Sequence, residues 1–339
     1  MIPDFTLFDG HNDLLWHLHN QRDLKGASFF TGREGALDVA KCRTGGFGGG
    51  FFALFVAGDD LPGADVKLPV DIDKARRVTF EMAAILVRMT RADPARLRLC
   101  TTAAQIEEAR KTGAIAAVMH LEGAEAIGPD FAELEMLHAA GLRSLGPVWS
   151  RSNRFGHGVP FAYPSTGDIG PGLTPEGLRL IAECERLRIL IDLSHLNEAG
   201  FNDVAKLSSR PLVATHSNAH GLCPHSRNLT DRQLSIIAES GGLVGVNFGT
   251  RFLRKDAQVN PDTPITLIVE HLKYLIDRLG EGGVAFGSDY DGTRVPADLQ
   301  TAADLPKLIT ALQDAGFGAS LIERICWGNW ISLLRRVVG

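Results

Sequence analysis

Residues 189–216 read ILIDLSHLNEAGFNDVAKLSSRPLVATH. An apolar run, ILIDLS (189–194), leads into a stretch with helical spacing, NEAGFNDVAKLS, and then into a second apolar run, LVATH (212–216). Nearly continuous apolar runs of this length suit strands covered on both faces, as in parallel sheets. Parallel neighbours need a crossover, here a helix, so the segment reads as one βα unit feeding the next. Both strands finish on residues with chemistry: Asp192, Ser194 and His195 after the first, Thr215, His216 and Ser217 after the second.

The same alternation runs outward in both directions. Further strands are expected at TLFD (6–9), FFALFVA (51–57), AIAAVMH (114–120), LRSLGPV (142–148), LVGVNF (243–248) and VAFGS (284–288). Helical patterns fall between most of them, the strongest over 70–92. LTPEGLRLIAECERLR (173–188) opens with Thr174 as a cap and has Pro175 and Glu176 in its first turn. Eight strands alternating with helices predict an α/β fold, a (β/α)8 TIM barrel of the metal-dependent hydrolase type, with residues 1–339 as a single catalytic domain. An open doubly wound sheet is the alternative. The loop at 149–172 is rich in Gly and Pro and long enough to be a lid or a binding loop.

Composition removes several function classes. A formal net charge of -5 argues against a nucleic-acid partner. The five cysteines are scattered without a CxxC pair, which argues against a disulfide framework or a thiolate metal site. The N-terminal stretch MIPDFTLFDGHND lacks the basic start and apolar run of a secretory leader. No run approaches the ~18 apolar residues of a membrane span. The expectation is a cytoplasmic enzyme with a small-molecule substrate and no membrane partner.

In a barrel of this kind the chemistry sits at the C-terminal ends of the strands. His11 and Asp13, two residues apart after the first strand, point to one side of an extended segment and suit zinc. Glu122 after the third strand could bridge two metals, with His120 as a rival ligand. His195 and His216 end two adjacent strands. Asp289, in GSDYDG (287–292), is placed as a general acid or base, although Asp and Gly are also turn formers. His157, His220 and His225 lie in loops near the same mouth and stay open between roles.

DGHNDLLW (9–16), HLEGAEAIG (120–128), GLRSLGPVWSRSN (141–153), IDLSHLNEAGF (191–201), VATHSNAHGLCPHSRNLTD (213–231), GGLVGVNFG (241–249), GSDYDG (287–292) and GNW (328–330) follow one another in order. Through these stretches the chain resembles the membrane (renal) dipeptidase family of zinc peptidases, among the amidohydrolase-like barrels. The resemblance implies two Zn2+ ions, with His11 and Asp13 on one, His195 and His216 on the other, and Glu122 between them. It implies Asp289 as the catalytic carboxylate, Arg227 as the grip on a substrate carboxylate, a dipeptide as substrate, and a homodimer as the assembly. Two positions depart from the family. A barrel-mouth histidine aligns with Trp149, for which His157 is the candidate replacement. A substrate-contacting tyrosine aligns with Gly249, which is expected to enlarge the pocket, with Arg251 nearby as a new contact. These departures leave N-acyl-amino-acid, lactone or β-lactam hydrolysis as alternatives, and a non-catalytic barrel as a third reading.

Overall fold

A computed structural model describes residues 5–58 and 68–339. Met1–Asp4, part of the stretch read as lacking a leader, lie outside the described residues. The strands are β1 (Leu7–Asn12), β2 (Phe47–Phe55), β3 (Leu97–Leu99), β4 (Ile115–Glu122), β5 (Leu142–Gly146), β6 (Leu190–Ile191), β7 (Val213–Ala214), β8 (Leu243–Val246) and β9 (Val284–Phe286). All ladders are parallel. One runs β1-β2-β4-β5-β6 and another β7-β8-β9. Two single parallel bridges, Asp192 with Val213 and Asn12 with Tyr290, join the two sheets into a ring. The ring is the eight-stranded barrel, and the open-sheet alternative falls away.

The structure adds β3 to the expected set. It pairs with the first half of β4 (Leu97 opposite Ile115, Leu99 opposite Ala117) and is off the path of the ring. Three residues are too few for a periodic signal to register.

Several strands are shorter than their apolar runs, and the reason is chemical. At the C-terminal rim, side chains take the backbone donors that a ladder would use. The Asp192 carboxylate accepts from the N–H groups of Thr215 (2.8 Å) and Ser194 (3.0 Å). Asp9 accepts from the Ser288 N–H (2.6 Å) and hydroxyl (2.8 Å) across the β9-to-β1 seam. The Asn218 side chain accepts from the Asn247 N–H (3.0 Å) and donates to its carbonyl (2.9 Å). The rim is therefore stitched by side chains, and His11, His195, His216 and Asp289 lie within three residues of Asp9, Asp192, Thr215 and Ser288.

Period-two alternation along β4 shows how one strand serves both core and site. Ile115, Ala117, Met119 and Leu121 pack into the large core under the surrounding helices. Ala116 and Val118 join a second core with Phe8, Phe51, Leu190, Val213 and Leu243 from strands around the ring. The same face continues upward as His120 and then Glu122, at the mouth. Trp327 and Trp330 pack into the second core from the C-terminal segment, and the Trp330 indole N–H donates to the Phe286 carbonyl at 2.9 Å. Thr174 caps the helix Pro175–Leu187 by accepting from Gly177 N–H.

Candidate active site

Strand ends from around the ring converge on one buried cluster. Glu122 Oε1 lies 3.6 Å from His11 Nε2, 3.0 Å from His195 Nε2 and 3.4 Å from His216 Nε2. His195 Nε2 and His216 Nε2 are 3.0 Å apart, and Asp13 Oδ2 is 3.3 Å from His11 Nε2. Ligands about 2 Å from a tetrahedral zinc stand about 3.3 Å from one another, so these separations suit ligand shells without rearrangement. Potential ligand atoms of His11, Glu122 and His216 all fall within 4.8 Å, and those of His11, Asp13 and Asp289 form a second such set.

Unsatisfied atoms point the same way. Both ring nitrogens of His11 and Oδ1 of Asp13 are buried without a hydrogen-bond partner. Buried polar atoms left unpaired cost about 1–3 kcal/mol each, and native proteins pair them. His11 Nε2 is in ion-pair range of Asp13 but off hydrogen-bond geometry. Electrostatics agree. Burial pulls the His11 imidazolium down, but the charges of Glu122 and Asp13 outweigh it and hold its pKa near 10. Burial pushes Glu122 well above the carboxylate range, and burial with the neighbouring Asp13 raises Asp289 to about 6. Three carboxylates packed out of water call for positive charge between them.

The hydrogen bonds set which histidine nitrogen faces that space. Asp192 Oδ2 can only accept, so the Thr215 hydroxyl donates to it (2.6 Å). Thr215 Oγ1 must then accept from His216 Nδ1–H (2.8 Å), leaving the Nε2 lone pair toward Glu122. His195 Nδ1 is held by Ser150 Oγ at 2.7 Å. Burial, reinforced by Arg227 and His11, keeps both imidazoles well below their usual pKa and therefore neutral, the form that binds metal.

Two of the cluster residues carry unusual backbone. His195 (φ 68°) and Asp289 (φ 60°) both sit in the left-handed region. Such residues cost of order 1–3 kcal/mol and persist where the surroundings over-determine them. Gly292 matters for a related reason: a Cβ there would collide with the Asp13 and Asp289 carboxylates.

The cluster forms the floor of a cavity of about 570 Å³, within the range of small-ligand sites. Arg227 is buried in its wall. Its guanidinium donates to Ser217 Oγ (3.3 Å) and the His216 carbonyl (3.1 Å), lies 5.6 Å from the Phe252 ring centre, and leaves Nε unpaired. Trp149 also lines the cavity, with its ring 5.7 Å from that of His195. His157 is not among the lining residues: its Nδ1 bonds to Ser152 Oγ at 2.8 Å. His120 sits below the cluster with Nδ1 on Ser144 Oγ (2.9 Å) and its pKa pushed down to about 4 by burial. At Gly249, where a larger pocket is expected, the space next to the backbone is occupied. A Cβ on residue 249 would lie 2.8 Å from the Phe252 ring, which takes that space.

Asn247 escaped the sequence reading. Its Nδ2 donates to Asp289 Oδ2 at 2.8 Å. It is next to last in the expected strand LVGVNF (243–248), so the rule that found the histidines would find it if amides were counted. Arg294 and Trp16, also on the cavity wall, had no such signal.

Residues 1–338 match the family model of membrane dipeptidase, peptidase family M19. The chain belongs to that family. A metallopeptidase of Rhodobacter sphaeroides, solved with a phosphinate mimic of the dipeptide L-Ala-D-Ala, is 45% identical, with a TM-score of 0.95 over 98% of this chain and 99% of that one. An uncharacterized protein from the pqqA 5' region of Klebsiella pneumoniae is 46% identical over 269 residues, 79% of this chain and 97% of its own. The probable dipeptidase PvdM of Pseudomonas aeruginosa, at 21% identity, shares the fold with a TM-score of 0.86 over 98% of this chain and 96% of that one. As an M19 member the chain is a metallodipeptidase, and the non-catalytic barrel is set aside. Among the described residues no helix is long and apolar enough to cross a membrane.

Proposed function

We propose that residues 1–339 form one catalytic barrel that hydrolyses the amide bond of dipeptides bearing a free C-terminal carboxylate, using two zinc ions. The observation that carries this reading is the Glu122 carboxylate within 3.6 Å of His11, His195 and His216, on the floor of a cavity whose wall holds Arg227. His11 and Asp13 would hold one ion, His195 and His216 the other, and Glu122 both. Bound there, zinc supplies Lewis acidity and lowers the pKa of water.

The remaining work belongs to the chain. Asp289, oriented by Asn247, takes the proton of the attacking water and passes it to the departing amine. Arg227 has spent two of its five N–H donors within the protein, which leaves a fork for the terminal carboxylate. Trp149 and Phe161 shield the reacting centre from bulk water on the His195 side. The test is direct. Purified protein should carry two zinc per chain by elemental analysis and hydrolyse Ala-Ala; a metal-replete protein inert toward dipeptides would end the proposal.

Two further outcomes are expected. Arg227→Ala should raise KM for dipeptides about a hundredfold, as the loss of a charge-assisted bidentate contact implies, with a smaller effect on kcat. C-terminally amidated dipeptides should be nearly indifferent to the change; an equal loss on both would refute the clamp. Thr215→Val removes the acceptor of His216 Nδ1–H and frees the ring to take the other tautomer. Zinc affinity measured by competition with a chelator should fall about 10–100-fold.

A further inference from the structure

Two more guanidinium groups, Arg251 and Arg294, line the same cavity. Neither side chain has a hydrogen bond or an ion pair among the described residues. Two of the acids near them in the chain are already engaged. Asp256 binds Arg254 at 2.8 Å, and Asp291 binds Arg33 at 2.8 Å. Asp289 belongs to the site itself. The two arginines come from adjoining backbone, since Thr250 N–H donates to the Arg294 carbonyl at 2.9 Å.

The cavity is therefore asymmetric. Phe252, next to Arg251 in the chain, lies 5.6 Å from the Arg227 guanidinium, and all four residues line the one cavity. The His195 side is aromatic, with Trp149 5.1 Å from Phe55 and 5.5 Å from Phe161. One terminal carboxylate satisfies Arg227. Two further cations line the same cavity without a partner among the described residues, so a second carboxylate carried by the C-terminal residue would find them unneutralised.

We propose that Arg251 and Arg294 form a second anion subsite that selects dipeptides whose C-terminal residue carries an acidic side chain. This rests on the dipeptidase reading above. The side chain of a C-terminal Asp or Glu supplies a planar carboxylate, the partner that a guanidinium fork binds with two parallel hydrogen bonds. The subsite is at the mouth, with Arg251 half-buried and Arg294 exposed, so the attraction is screened by salt.

The experiment compares kcat/KM of the metal-replete protein for Ala-Ala, Ala-Gln, Ala-Glu and Glu-Ala, with both configurations at the second residue. For the preferred configuration, Ala-Glu should exceed Ala-Gln about tenfold at low salt, the size of one charge-assisted hydrogen bond. The ratio should shrink at about 0.5 M NaCl, where the screening length is only a few ångströms. Arg251→Gln and Arg294→Gln should each bring the ratio toward one; because it is taken within a single variant, general damage to the fold cancels. Equal rates for Ala-Glu and Ala-Gln, or an unchanged ratio in both variants, would overturn the subsite. Preference for Glu-Ala over Ala-Glu would overturn its assignment to the C-terminal residue. If no dipeptide is cleaved, Ala-Ala included, the dipeptidase reading has failed and this inference with it.

Discussion

Asp289→Asn is expected to lower kcat roughly 10²–10⁴-fold, the contribution of a positioned acid–base group, while zinc content and melting temperature stay near those of the parent. The amide has the shape of the carboxylate, and Asn tolerates the left-handed backbone at this position better than most residues. It can keep the bond to Asn247 through its oxygen. What it loses is the ability to accept a proton from water and return it to an amine. Elemental analysis beside steady-state kinetics separates the possible roles. Loss of one zinc per chain would make Asp289 a ligand, in keeping with its closeness to His11 and Asp13. Two zinc with near-parental turnover would show that the proton goes elsewhere.

Removing the metal should have the second large effect, on activity and stability together. A ligand present at a thousandfold over its Kd stabilises the folded state by about 4 kcal/mol. For a chain of this size that corresponds to a fall in Tm of roughly 6 °C when a chelator strips one such site. Activity should vanish with the metal and return on adding zinc. The cause is the charge left behind: Asp13, Glu122 and Asp289 lie together out of water. Glu122→Gln tests the same point from the protein side. It weakens a side chain within reach of all three histidines and should cost more zinc than any other single ligand change. Equal Tm with and without chelator would mean that the cluster is held by its own hydrogen bonds.

Much of this was legible in the chain. Apolar runs at 51–57, 114–120 and 243–248 marked strands because a barrel strand is covered on both faces and so loses its polar alternation. The rule that barrel chemistry collects at strand ends then picked out His11, Asp13, Glu122, His195, His216 and Asp289, which the structure brings into one buried cluster. Arg227 came from the family resemblance alone, since an arginine in a loop has no periodicity to betray it. The weaker expectations were those that needed a neighbour's position. His157 is expected at the site from its place in the loop, but it is not among the residues lining the cavity, and its Nδ1 bonds to Ser152 Oγ. Gly249 predicts open space beside it, but the ring of Phe252, three residues on, stands 2.8 Å from where its Cβ would be.

The division follows the range of the forces involved. Local periodicity and the order of strand ends decide the barrel and the residues placed at its mouth, because alternation and chain order are properties of the sequence itself. Tertiary structure alone decides which seams close through side chains, as Asp9 with Ser288 and Asp192 with Thr215. It alone sets which nitrogen of His216 is bare, and that Arg251 and Arg294 line one cavity with Arg227. Those facts depend on hydrogen bonds and close contacts a few ångströms long between residues tens to hundreds of positions apart, and no local pattern encodes them.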